Sequence, residues 1–117
     1  MMNKPVKQSK EAFDFHECTT FLEQKYNMNT EDYAGHFGKP AIHSPTVRDA
    51  KPEEDGRPPY WNFWHFICDH ASPSNGSYFT MHQEWEDSMQ YEWQKEILKL
   101  YLDEFGENDK IEFYVWW

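Results

Sequence analysis

His65, Cys68 and Asp69 stand at i, i+3 and i+4, a spacing that brings pairs of them to one side of a helix. An imidazole, a thiolate and a carboxylate so placed could hold a transition metal or share a proton, and His16, Cys18, His70 and His82 are further donors. The pattern is permissive and no more. Structural zinc sites pair ligands closely, as in Cys-x-x-Cys with His-x-x-x-His, and the chain has neither pair. A histidine beside an aspartate on an amphipathic helix is more often a charge-assisted pair, and a cysteine among rings is more often packing. The trio therefore ranks low as a metal site, and no cofactor is expected. A phosphate-binding glycine loop and a Gly-x-Ser-x-Gly elbow are both missing. The chain reads against an enzyme.

Charge and ring content point elsewhere. Asp and Glu number 21 against 11 Lys and Arg, a net charge of -10, and the chain holds six Trp, seven Tyr and nine Phe. So few aliphatics with so much charge would ordinarily suggest disorder, but aromatic side chains of ~150 to 250 Å² each can fill a core instead. Lys4, Lys7 and Lys10 are the charges of the first ten residues, so the rest of the chain is more acidic still. Such a body repels nucleic acid and anionic membranes and suits a basic protein partner. The start of the chain has no apolar export segment, nor is any stretch long enough to cross a bilayer, so a cytoplasmic protein with Cys18 and Cys68 reduced is expected.

These groups need elements to position them. Residues 1–12 read as a flexible basic tail and 13–117 as a single domain. Asp14 and Glu17 form an N-cap and N3 pair before Cys18, Phe21, Leu22 and Tyr26, predicting a helix over 15–27. Thr30 opens a short helical turn with Tyr33, Ala34 and Phe37. A long proline-rich loop follows over 38–59. Pro58 and Pro59 introduce a helix running to His70, with Tyr60, Trp64, Ile67 and Cys68 on its apolar side. After the Ser-Pro-Ser-Asn-Gly turn, 77–83 reads as a strand, 85–105 as the longest helix, and 111–117 as a closing strand of alternating pattern. On the long helix Met89, Trp93, Ile97 and Leu100 form the contact face, widened by Leu98, Tyr101 and Phe105, and Gly106 ends it. The fold class is α+β, three or four helices packed on a two- or three-stranded sheet. So small a sheet leaves homodimerisation open.

Two surface features could recognise a partner. Residues 84–117 hold ten acids and three bases, and Glu92, Glu96 and Asp103 make an acidic stripe on the long helix. Carboxylates about 6 Å apart along the axis approximate the spacing of backbone phosphates. If Ile111, Phe113, Val115 and Trp117 face the core, Tyr114 and Trp116 face outward beside Tyr78. Rings rimmed by carboxylates have the composition of a binding hot spot.

In general character the chain resembles small acidic phage and prophage proteins that disable host systems, of the anti-CRISPR and anti-restriction kind. Phe-Leu-Glu-Gln-Lys-Tyr-Asn-Met at 21–28 and Asn-Gly-Ser-Tyr-Phe at 75–79 resemble uncharacterised phage proteins and imply no activity; the resemblance to inhibitors lies in a short acidic chain rich in Trp and Tyr with a Tyr-Val-Trp-Trp end at 114–117. It implies a non-enzymatic inhibitor in the host cytoplasm that binds a basic, nucleic-acid-handling defence protein, without contacting nucleic acid or membrane directly. The alternatives are an immunity protein or antitoxin against a cationic toxin, and a small metal-dependent enzyme centred on His65, Cys68 and Asp69.

Overall fold

Asp14 caps the first helix as its position predicts. Its backbone is extended and its carboxylate accepts the Glu17 N–H at 2.9 Å, satisfying a donor that the first turn leaves open. The computed structural model describes residues 3–7, 12–28, 63–89 and 92–116. The short turn around Tyr33 and the 38–59 loop lie outside the described residues.

The described elements run β1 (Phe13–Asp14), α1 (Phe15–Tyr26), α2 (Phe63–Ala71), β2 (Ser77–His82), a 3-10 helix (Gln83–Ser88), α3 (Glu92–Phe105) and β3 (Lys110–Val115). They form one α+β domain in which the helices pack on a three-stranded mixed sheet. The sheet order is β1-β3-β2, with β3 central, parallel to β1 and antiparallel to β2. Helix α1 stops at Asn27, whose φ of 53° is left-handed and lets Met28 N–H reach back to Glu23 O at 3.0 Å.

The helix expected over 85–105 is two elements. Gln83–Ser88 is a 3-10 helix, Met89 is extended, and α3 begins at Glu92. The break has a packing cause. On one continuous helix Trp85 would point about half a turn away from Tyr101 and Phe105, toward solvent. Interrupting the helix re-aims it inward, where Trp85 stacks near Phe79 and tilts against Phe66 and His70, while Met89 is buried as well. The contact face of α3 is therefore centred on Gln94, Ile97, Leu98, Tyr101 and Phe105, with Leu100 only half-buried at its margin.

Between α3 and β3, Gly106 ends the helix for a steric reason: a Cβ there would lie 2.6 Å from Leu102 O. Asn108 and Asp109 then take φ of 55° and 63°, both left-handed, and Glu107 and Lys110 exchange backbone hydrogen bonds of 2.9 and 3.2 Å. Asn and Asp accept that conformation more readily than most residues, which makes this tight primed turn possible without glycine.

The core is aromatic. Phe15 sits at its centre, 5.2 Å from Trp64, 5.4 Å from Phe113, 5.6 Å from Phe79 and 5.7 Å from Tyr101 between ring centroids. Tyr101 is wholly buried, and its hydroxyl shares a 2.5 Å hydrogen bond with Thr19 on α1, so the one polar atom of that ring is satisfied inside. Residues 3–7 of the basic tail lie against the body, with Lys4 Nζ 3.9 Å from Glu104 and 5.7 Å from the centroid of Phe105.

Candidate functional site

Alternation along β2 and β3 sorts their side chains by face. Phe79, Met81, Ile111, Phe113 and Val115 are buried against the helices, and Tyr78, Thr80, His82, Lys110, Glu112 and Tyr114 fall on the other face. On that outer face Tyr78 and Tyr114 are cross-strand partners with ring centroids 5.1 Å apart, tilted at 59°. Trp116, one residue beyond β3, joins them by lying across Gly76, where a Cβ would come within 3.1 Å of the indole Cζ3 and 3.9 Å of the Tyr114 hydroxyl. Gly76 has a φ of 78°, and its N–H bonds Val115 O at 2.9 Å, so the turn entering β2 both needs a glycine and makes room for the indole. An indole covering a sheet glycine stabilises the strand pair, which is a structural role for Trp116. It does not bury the ring. Trp116 remains 61% exposed and Tyr78 58% exposed.

The three predicted rings thus meet in one patch. The three predicted acids do not join them. Glu92, Glu96 and Asp103 are exposed on α3, about half a turn from its buried side, and that side packs on the inner face of the sheet through contacts such as Tyr101 with Phe113. Glu92 and Glu96 therefore look out from the layer opposite the rings, whereas Asp103, at the other end of the stripe, lines a groove together with Thr80 and Glu112. The stripe is also interleaved with lysines: Lys95 lies 3.5 Å from Glu92, and Lys99 lies 2.9 Å from Asp103, a bond that raises the Lys99 pKa. Two of its three carboxylates are partly neutralised from their own helix.

Register places other carboxylates beside the rings. Asp14 is the β1 partner of Tyr114, and Glu112 is two residues before Tyr114 on the same face of β3. Farther along the same face, His82 is opposite Lys110. Beyond Thr80 and Glu112 the surface falls into a groove of about 760 Å³, walled by the turn after α3 and by Lys4–Lys7. Sequence reasoning missed Asp14 and Glu112 as neighbours of the rings because strand register and order set them there.

The proposed metal ligands are not supported as a cluster. Cys68 is half-buried against the core, Asp69 is exposed, and the His65 side chain lies outside the described residues. Among the described residues no group of three or more His, Cys, Asp or Glu is placed to hold a metal ion. Cys18 and Cys68 are free thiols, and burial, aided by Asp14 and Glu17, pushes the Cys18 thiol far above its ordinary range, so it is an inert packing group. His16 packs its ring against Phe15 and Trp64, and His70 stacks on Phe66. No described helix is long and apolar enough to cross a membrane.

An electrostatic knot joins α1 and α3. Glu104 on α3 accepts hydrogen bonds from Lys25 Nζ and, at 2.8 Å, from the Tyr26 hydroxyl at the end of α1. Burial alone would raise the Glu104 carboxyl, but these two donors more than offset it and hold its pKa below the ordinary glutamate value; the same contact raises both Lys25 and Tyr26. Its place at a helix junction suits a structural clasp. Comparison with family models, curated proteins and solved structures finds no match.

Proposed function

We propose that this chain is a non-enzymatic binding protein that docks the outer face of its sheet on a basic protein, with Tyr78, Tyr114 and Trp116 as the anchoring rings. The observation that carries this reading is their gathering into one exposed patch on a chain of net charge -10. Large rings beside carboxylates bury area at little conformational cost, and the negative field of the chain steers a cationic partner toward them. Glu92 and Glu96 act only through that field, whereas Asp103 lines the groove beside Glu112. A helix layer ~10 Å thick separates Glu92 and Glu96 from the ring face, so they do not touch a partner docked there.

In its fuller form the reading makes the chain a cytoplasmic inhibitor of a nucleic-acid-handling defence protein in a phage-infected bacterium. The resemblance to small acidic phage inhibitors and the charge of the chain support this version. The test is affinity capture from bacterial lysate. The expected result is a cationic nuclease or polymerase subunit that is released by high salt and no longer retained by the Trp116→Ala chain. Retention of only neutral or acidic proteins, or retention indifferent to Trp116, removes the reading.

A further inference from the structure

We propose that two copies of this chain join along the open edge of β2, pairing antiparallel about a two-fold axis at Thr80 into one sheet with three strands from each copy. The strand order β1-β3-β2 leaves β2 at an edge, and its register with β3 decides which of its backbone groups stay open. Gln83 N–H bonds Asp109 O at 2.9 Å, one step beyond the pairing of His82 with Lys110, so the hydrogen-bonded positions of β2 are Met81, Phe79 and Ser77. Tyr78, Thr80 and His82 therefore aim their N–H and C=O groups away from β3. Among the described residues none bonds to those groups. Native sheets blunt an open edge with lysine, proline, a bulge or sheer shortness. Ser77–His82 has no Lys, Pro, Asp or Glu, its register is unbroken, and it lies within 70–83, the longest run of the chain without Asp, Glu, Lys or Arg. The opposite edge, β1, is only two residues long. Pairing at β2 thus closes on a dimer and leaves no long edge for growth.

A second copy fits this edge because the edge complements itself. With Thr80 on the axis, Tyr78 falls opposite His82 of the second copy and Thr80 opposite Thr80, and each such pair exchanges two hydrogen bonds, so every outward group is satisfied. An axis at Phe79 or Met81 would instead carry His82 or Tyr78 past the end of the other strand. Side chains agree with the Thr80 register. The two threonines meet on the outer face, where their hydroxyls can hydrogen-bond, and the Tyr78 ring meets an imidazole. Charge agrees as well. Glu84 and Glu86, in the 3-10 helix that follows β2, come beside the uncharged turn 72–76 of the second copy and not beside its acids. A basic peptide, by contrast, would find no carboxylate on β2 to recognise. The seam stands whether or not the ring face docks a basic protein, but it makes the two outer faces continuous and displays both sets of Tyr78, Tyr114 and Trp116 on one side.

The test is sedimentation equilibrium of the full chain over a concentration series at low and high salt. One short strand makes a small interface, so a Kd of about 10 to 100 μM is expected, with no species larger than a dimer. Raising salt from about 0.05 to 0.5 M should tighten the dimer several-fold, because it screens the repulsion between two chains of net charge -10, whereas binding to a basic protein weakens with salt. Thr80→Pro removes an outward donor without touching the ladder to β3, and Thr80→Lys sets two cations against each other on the axis. Each should weaken the dimer at least tenfold while circular dichroism stays native. Hydrogen exchange followed by NMR needs no variant and decides the matter should both misfold: the amides of Tyr78, Thr80 and His82 should gain protection as concentration rises. A chain still monomeric at about 1 mM, assembly beyond the dimer, or a dimer indifferent to both well-folded Thr80 variants overturns the proposal. So does protection of these amides that appears only when a basic protein is added, which would make the edge that protein's site.

Discussion

Trp116 lies so close over Gly76 that a methyl group on Gly76 would come within 3.1 Å of the indole Cζ3. The left-handed φ of 78° at Gly76 compounds the crowding, since side chains with a Cβ avoid that conformation. Gly76→Ala should therefore cost about 1 to 2 kcal/mol in chemical denaturation, and it should shift the Trp116 ring. Indole cross-peaks in NMR spectra report the second effect. An unmoved Trp116 signal in the alanine chain contradicts the packing described.

Tyr101 and Thr19 form a second test, deep in the core. Tyr101→Phe removes one partner of a buried 2.5 Å hydrogen bond and should cost about 1 to 2 kcal/mol, read from the urea midpoint. Adding Thr19→Val should recover part of the loss, because neither side then leaves a polar atom stranded.

The same hydroxyl predicts behaviour in alkali. Burial pushes the Tyr101 pKa well above the ordinary value near 10, only partly opposed by Thr19, so the native state keeps a proton that the unfolded chain releases. This contribution is whole below the unfolded pKa and shrinks as pH climbs beyond it toward the folded value. Stability should fall above pH 10, and tyrosinate absorbance should show Tyr101 ionising only as the chain unfolds. A full tyrosine titration with the fold intact is the contrary outcome.

Glu104 predicts the opposite limb. Its folded pKa lies below the reference of 4.5, so its contribution is present above that pH and disappears as pH falls through the folded value. Glu104→Gln should flatten the acid side of the stability profile and, because the same contact raises Lys25 and Tyr26, also lessen the loss of stability above pH 10, leaving the slope near neutrality unchanged. An acid limb identical in the two chains would show that the clasp to Lys25 and Tyr26 does not form in solution.

Charge reversal separates the two layers of the molecule. Glu92→Lys with Glu96→Lys should slow association with a basic partner and weaken its salt dependence, while the dissociation rate changes less than about twofold. Trp116→Ala should do the reverse and act on dissociation. Surface plasmon resonance across a salt series distinguishes these outcomes.

Local signals were legible in the chain wherever one residue settles a backbone choice. Asp14 with Glu17 fixed the start of α1, Gly106 the end of α3, and the alternation of Ile111, Phe113 and Val115 the strand and its inward side. The aromatic core followed from composition, since no other residues were numerous enough to fill one. The two-residue strand β1 is too short to show a period, and the break before α3 carries no glycine or proline to announce it. Its cause is Trp85, which must turn inward to reach Phe79 and Phe66.

The chain by itself determined that rings and carboxylates would be plentiful, and that Tyr114 and Trp116 would point opposite to Phe113 and Val115, because a strand has a period of two. Tertiary structure decided which of these groups are neighbours. Placing β3 between β1 and β2 set Tyr78 and Asp14 beside Tyr114, and packing α3 on the inner face carried Glu92 and Glu96 to the far side while leaving Asp103 at the groove beside Glu112. Periodicity acts within one element, whereas proximity between elements depends on strand order and on which face the helices cover, and both are settled by burial of the whole core at once.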